Sequence, residues 1–340
     1  MKRLLLILII TFVGLAALQA QNTCTDQLKL AQRKFDDGLL DDIPQLLANC
    51  MKDGFTKEEK TNAYKLLIQT YLFSEKQEKA DEVMMQFLKD FPSYTIAVND
   101  PKEFVNLHST YRTKPIFKIE LKLGATFCMP KVVEQYGTSD INTVKPTYKA
   151  KIGYNVELNY LNKLYKNFDY SIGASLTISN FDYKNNPTSY SAVSGTFTSW
   201  YVGLPIACRY NYKFKGINFF GKIGIETVYL VKSSASLTRK DNIITRQEPF
   251  TGTENLLSSQ NKLDIRPLIA IGTSFNLLGG WLNVAAGYKF STMVQANKNK
   301  RYANQTLSTK YFFVQDDILC NQTYLSVSFI KPIYKPKKIK

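Results

Sequence analysis

Phe117-Lys118-Ile119-Glu120-Leu121-Lys122-Leu123-Gly124-Ala125-Thr126-Phe127 alternates without a break. Phe117, Ile119, Leu121, Leu123, Ala125 and Phe127 form an apolar set, and the residues between them are charged or small. A period of two puts the two sets on opposite faces of a β-strand. The pattern returns over 148–160, where Tyr148, Ala150, Ile152, Tyr154, Val156, Leu158 and Tyr160 oppose Lys149, Lys151, Gly153, Asn155, Glu157 and Asn159. It returns again over 168–178, with Phe168, Tyr170, Ile172, Ala174, Leu176 and Ile178 against Asp169, Ser171, Gly173, Ser175 and Thr177. Further strands are predicted at about 198–212, 217–237, 263–277, 281–294 and 318–330, for an even total of eight.

Strands of ten residues or more suit a tilted membrane crossing, which takes about 9–11. The links support it: short ones at 162–167, 213–216 and 278–280 alternate with long ones at 129–146, 183–196, 238–262 and 295–317. Short turns at one end and long loops at the other are the pattern of a transmembrane barrel. The longest loop, from Thr238 to Lys262, is rich in Thr, Asn, Gln and Ser and reads as a mobile, solvated segment.

Alternation alone does not say which face points inward. Tyrosine and phenylalanine near the strand ends, such as Tyr148, Tyr160, Phe168, Tyr210, Tyr212, Tyr229 and Tyr288, resemble the aromatic girdles of a membrane wall. The apolar face is therefore expected to meet lipid. The interior of an eight-stranded barrel is just wide enough for side chains. Lys118, Glu120, Lys122, Lys149, Lys151, Glu157, Asp169, Arg209, Lys222, Glu226, Asp264, Arg266 and Lys289 are predicted to pair there as a buried ionic network. The last strand carries Tyr324, Leu325, Val327 and Phe329, an alternating set ending on an aromatic residue, like the signal recognised by barrel-assembly machinery.

The chain begins with Lys2 and Arg3, an apolar run from Leu4 to Leu18 interrupted by Thr11 and Gly14, and then Gln19-Ala20-Gln21. That order reads as a signal peptide over 1–20. The run, about 15 residues, is short of the roughly 20 a membrane helix needs. The formal charge of +16 raises nucleic acid as a partner. Export and the dispersion of the cations argue against it and favour anionic lipid or an acidic protein surface.

From 21 to 112 the period shifts toward 3.6, and a small helical domain is expected. Helices are predicted from Asp42 to Met51 and from Thr56 to Phe73, with Asp53-Gly54 as the stop between them. Tyr64, Leu67, Ile68, Tyr71, Ala80, Met84, Phe87 and Pro92 have the offsets of a tetratricopeptide-like packing, two antiparallel helices meeting at a small residue; an ordinary helical bundle is the alternative. A degenerate earlier unit runs through Leu28, Ala31, Phe35 and Ala48, with Pro44 at its small-residue position. Asp100-Pro101 starts one more helix, ending near Arg112. Cys24 and Cys50, at opposite ends of a helical hairpin in an oxidising compartment, are expected to form a disulfide. Cys128, Cys208 and Cys320 lie far apart in sequence, and His108, the one histidine, reads as a packing residue.

The exported helical module, the Asp100-Pro101-Lys102-Glu103-Phe104 junction, the Tyr111-Arg112-Thr113-Lys114-Pro115 lead-in and the eight-stranded pattern together resemble the PorT-like outer-membrane barrel proteins of the Bacteroidota. The resemblance implies residence in the outer membrane and, for some members, service in type IX secretion and gliding. It carries no catalytic residue and implies no cofactor.

The expected architecture is α+β: a signal peptide (1–20), a periplasmic helical domain (21–112), an eight-stranded antiparallel transmembrane barrel (113–332) and a basic periplasmic tail (333–340). The expected role is non-enzymatic: the barrel anchors, and the helical module docks a periplasmic or outer-membrane protein. The competing expectations are a small channel and a surface-loop adhesin or structural barrel.

Overall fold

The computed structural model describes residues 23–137, 145–242 and 248–339; the expected signal peptide lies outside them. The described residues form two compact units, one within Ile116–Ile333 and the other made of residues 23–115 together with 334–339.

Among the described residues the larger unit is one antiparallel sheet of nine strands: β1 (Phe117–Glu134), β2 (Thr147–Tyr165), β3 (Phe168–Thr188), β4 (Ser191–Phe214), β5 (Ile217–Asp241), β6 (Phe250–Asn255), β7 (Leu263–Leu277), β8 (Gly280–Lys289) and β9 (Asp317–Ile333). Eight of them close into a ring. β4 pairs with β5, β5 with β7, and β1 with β9 from Phe117↔Ile333 up to Glu134↔Asp317, so neither end of the chain leaves an open edge. β6 lies outside the ring, paired with the far end of β5 through Ser234↔Asn255 to Arg239↔Phe250.

Burial decides which way the sheet faces. Leu121 (51 %), Ile223 (65 %), Ile271 (72 %) and Leu325 (60 %) are exposed, whereas Glu226 (0 %), Arg266 (1 %) and Lys289 (1 %) are buried. A wall with apolar side chains outward and charges inward is stable only against hydrocarbon. On β1 the outward set from Ile119 to Met129 spans ten steps of roughly 3.3 Å, which at a tilt of about 40° rises about 25 Å, the height of a lipid-facing band. Tyr210, Tyr212 and Phe214 edge this band at the turn end of β4, and Trp200 edges it at the loop end.

Above the band the two faces exchange character. On β3 the outward residues become Asn180, Asp182 and Lys184, while the inward ones become Phe181 and Tyr183. Phe181, Tyr183, Val193, Phe197, Ala235 and Leu237 build an apolar core inside the strand extensions, joined by Leu256, Leu307, Tyr311, Phe313 and Ile318. Water-facing sheet buries apolar groups and lipid-facing sheet buries polar ones, so the level of the exchange marks where hydrocarbon ends.

Several sequence expectations change here. The segment 183–196, expected as a long loop, is strand: β3 and β4 pair out to Thr188↔Ser191. The 238–262 segment, expected to be mobile and solvated, includes β6 and buries Leu256, with residues 243–247 outside the description. The 295–317 loop carries a short helix, Gln305–Lys310, whose Leu307 enters the apolar core. The seventh strand of the ring ends at Lys289, short of the predicted Val294.

In the smaller unit, α1 (23–36), α2 (Ile43–Lys52), α3 (Lys57–Phe73), α4 (Gln77–Asp90) and α5 (Lys102–Ser109) follow one another. No helix among the described residues is long and apolar enough to cross a membrane. Thr56 starts α3 with a capping box: it accepts from Glu59 N, and Glu59 accepts from Thr56 N. Pro44 falls in the first turn of α2, where a missing N–H costs nothing. α3 and α4 meet at the fully buried Ala80, with Phe87 edge-on to Tyr64 at 5.7 Å and to Phe104 at 5.2 Å. Leu67 is buried in a neighbouring cluster, Tyr71 packs at the periphery, and Pro92 follows the end of α4 half-buried. The tail is part of this unit: Tyr111 bridges Lys338, Arg112 N donates to Lys337 O at 2.9 Å, and Ile339 N donates to Thr110 O at 2.8 Å.

Candidate functional site: the barrel interior and the helical unit

The interior charges form tiers. At the turn end Lys118 Nζ lies 3.0 Å from Asp169, which also accepts from Asn211 Nδ2 at 3.0 Å. Arg209, from β4, stacks on the Phe220 ring at 3.7 Å and donates to Ser274 Oγ at 2.7 Å. In the middle, Glu157 accepts from Lys122 (2.8 Å) and Lys289 (3.2 Å). Lys289 also meets Glu226 at 2.8 Å, and Ser175 Oγ donates to Glu226 at 2.5 Å. Glu120 accepts from Ser328 Oγ (2.7 Å) and Asn159 Nδ2 (3.0 Å). Lys222 faces inward from β5 beside this tier, with no carboxylate within 4.0 Å among the described residues. Toward the loop end Arg266 Nε donates to Asp264 at 2.8 Å and its guanidinium lies 4.3 Å from the Tyr201 ring; Ser291 Oγ also donates to Asp264.

Strand alternation is what aims these groups at one another. Cross-strand partners share a face, so Lys122↔Glu157 meet directly, while Lys289 and Glu157 meet only because the sheet curls into a tube. Room is made by small residues: a Cβ on Gly287 would stand 2.4 Å from the Tyr324 ring, which lies 4.6 Å from Lys122 Nζ and 5.4 Å from Lys289 Nζ.

Two of the expected network members are elsewhere. Lys149 and Lys151 are exposed on the outer face of the strand extension, where Lys151 pairs with Asp182 at 3.3 Å. The cause is a bulge: the β2–β3 register shifts between Lys151 and Tyr154, and one extra residue turns every side chain beyond it to the opposite face. By the same flip Tyr148 points inward and donates to Asp316 at 2.7 Å. It is no girdle residue. Tyr324 likewise faces the interior, not the apolar outer set with which its neighbours alternate.

The cysteines hold a further correction. Cys24 and Cys50 are joined, tying α1 to α2, with Cα atoms 5.6 Å apart. Gly54 passes so close that a Cβ there would stand 2.6 Å from Cys24 Sγ. Cys128 and Cys320, far apart in sequence, are also joined across the β1–β9 seam, and among the described residues Cys208 is the one free cysteine. Nothing local in the sequence signals this pair, because its spacing of 192 residues is set by closure of the ring.

In the helical unit Asp100 is the most connected acid. It accepts from Tyr94 Oη (2.7 Å) and Ala97 N (2.7 Å), and Lys65 Nζ lies at 2.7 Å. Burial pushes its carboxyl up, but these three partners outweigh it and hold it below the ordinary 3.8. His108 packs beside Phe104 and Tyr94 with Nε2 buried and without a partner. Burial lowers its pKa from the ordinary 6.5, opposed in part by Asp100. The folded unit therefore resists protonation that the unfolded chain accepts. Stability from this group is full above pH 6.5 and declines as the pH falls below it. A chemical melt of the helical unit, followed by circular dichroism, is expected to lose stability between pH 7 and 5 in the natural chain and to lose less in H108F. Equal slopes would remove His108 as the cause.

The sequence model for an outer membrane protein beta-barrel domain matches residues 115–293, more than half of the chain. No curated protein sequence matches. Among solved structures, the attachment invasion locus protein Ail of Yersinia pestis aligns at 12 % identity over 63 % of this chain and 98 % of its own, with a TM-score of 0.29. Neisserial surface protein A gives 11 %, 64 %, 97 % and 0.30. The outer membrane protein OprG of Pseudomonas aeruginosa gives 7 %, 65 %, 98 % and 0.34.

Proposed function

The chain belongs to the family of outer membrane proteins built on a beta-barrel domain, and from that premise we propose that it is a non-enzymatic anchor whose helical unit docks another envelope protein in the periplasm. The observation that carries this reading is the filled interior. Ion-paired tiers at Asp169, Glu157 and Asp264 lie beneath an apolar core at Phe181, Phe197 and Phe313, so the barrel is built to be a stable post rather than a conduit. The helical unit, in contrast, has a disulfide and aromatic core of its own and is a self-sufficient module. With eight crossings, both ends of the barrel segment emerge on one side, and the short turns favour the periplasm for that side. The junction at Asp100–Phe104 and the lead-in at Tyr111–Pro115, which resemble PorT-like proteins, favour an accessory subunit of a secretion or gliding complex as the context.

The test is co-purification from outer membranes in mild detergent, comparing the full chain with a form lacking residues 24–110. The deletion is expected to leave a heat-modifiable barrel and to remove stoichiometric partners. Retained partners would transfer the role to the loops and favour an adhesin. Planar-bilayer conductance is expected near zero, and a stable ohmic current would replace the anchor by a channel.

A further inference from the structure

The turn end of the barrel opens into a cavity of about 360 Å³ whose wall carries Lys118, Lys163, Lys166, Arg209 and Lys213 against a single carboxylate, Asp169. That volume falls within the range of small-molecule sites, roughly 300–1,000 Å³. Asp169 is already matched by Lys118 at 3.0 Å and Asn211 at 3.0 Å. Lys163, Lys166 and Lys213 have no carboxylate within 4.0 Å among the described residues, so the cavity keeps a surplus of positive charge.

Arg209 supplies the built part of the site. It is 6 % exposed and held flat against Phe220, and among the described residues its hydrogen bonds go to neutral oxygens, Asn211 Oδ1 at 2.8 Å, Ser274 Oγ at 2.7 Å and Asn283 Oδ1 at 3.4 Å, while Asp169 across the strand pair and Glu120 act on it without direct contact. Buried guanidinium groups ordinarily face an anion, and their planar fork matches phosphate oxygens. Lys163 and Lys213 stand around it at the ends of β2 and β4 and Lys166 on the β2–β3 turn, at the level where Tyr210, Tyr212 and Phe214 mark the membrane interface.

We propose that this mouth binds a phosphate group, presented either by a phospholipid headgroup or by a soluble phosphate compound. Arg209 fixes the floor of the site, and Lys163, Lys166 and Lys213 gather charge around the rim. The site shares Lys118, Asp169 and Arg209 with the lowest tier, but the three rim lysines take no part in the ion-paired tiers, and the docking role does not rest on them.

The chain carries its own reporter. Of its two tryptophans, Trp281 lines this cavity and Trp200 lies on the outer wall at the other end, so W200F leaves one probe at the site. The full chain with W200F, in an uncharged detergent, is titrated with inorganic phosphate and, separately, with dihexanoyl phosphatidylglycerol below its micelle concentration. A saturable change in Trp281 emission is expected, weakened by added sodium chloride. Its midpoint should rise at least tenfold in K163Q/K166Q/K213Q and be restored in K163R/K166R/K213R. Those side chains are exposed, and heat-modifiable mobility checks that the variants remain folded. Tighter saturation by the lipid identifies a headgroup, and tighter saturation by inorganic phosphate identifies a soluble ligand. No saturation with either probe, or a midpoint unchanged in the glutamine variant, overturns the site.

Discussion

Replacing Lys289 by alanine is expected to destabilise the barrel by roughly 3–5 kcal/mol, the cost of leaving buried charges without their partner. Lys289 stands between Glu157 at 3.2 Å and Glu226 at 2.8 Å, and all three side chains are almost completely buried. Without it Glu157 keeps Lys122, but among the described residues Glu226 keeps the Ser175 hydroxyl as its hydrogen-bond partner, with Arg266 opposite it at longer range, and faces Glu157 across the gap. The physical claim lies in the contrast with K289M/E226Q, which removes both members of one pair and leaves Glu157–Lys122 in place. That double variant is expected to recover most of the loss, because the penalty comes from an unmatched charge more than from the missing attraction. Urea unfolding in lipid vesicles, read by heat-modifiable mobility, measures both. A loss below about 1 kcal/mol in K289A, or a double variant no better than the single, would show that water already solvates this tier.

The second large effect is expected at the seam. Cys128–Cys320 joins the first and last strands of the ring across 192 residues, and in the chain-entropy account a loop of that length restricts the unfolded state by about 5 kcal/mol. Cys24–Cys50, which spans 26 residues, corresponds to about 3.5 kcal/mol and acts in the helical unit alone. C128A/C320A should therefore lower the urea midpoint of the barrel while leaving the helical melt unchanged, and C24A/C50A should do the reverse. Identical barrel midpoints with and without the seam disulfide would mean that β1–β9 hydrogen bonding already holds the closure unaided.

The two disulfides also separate what is local from what is not. Cys24 and Cys50 sit at opposite ends of one helical hairpin, so helix lengths alone bring them together. Cys128 and Cys320 meet only after eight strands have closed, and no spacing rule along the chain encodes that. The interior network divides in the same way. Glu120, Lys122, Glu157, Asp169, Arg209, Lys222, Glu226, Asp264, Arg266 and Lys289 face inward, as period-two alternation predicts, because each lies on an uninterrupted part of its strand. Lys149 and Lys151 fail because the bulge before Tyr154 reverses the alternation, and a bulge is a property of two paired strands rather than of one sequence. Which cation meets which anion was equally hidden, since Glu157 and Lys289 are neighbours only across the curled sheet.

The loops show a third kind of limit. Segment 238–262 reads as solvated and 295–317 as a long loop, yet they contribute Leu256, Leu307, Tyr311 and Phe313 to a shared core. A few apolar residues scattered through polar loops have no period of their own. They become a core only where strand extensions offer Phe181, Tyr183 and Phe197 to cover.

By itself the sequence determined the helical module, the eight strands of the ring and most of the inward charge, because periodicity is a relation between near neighbours and the backbone sets its value. The tertiary structure alone decided the seam disulfide, the reversal at β2, the pairing inside the barrel and the apolar cap. Each of these depends on register and closure, which bring together residues that the chain keeps far apart.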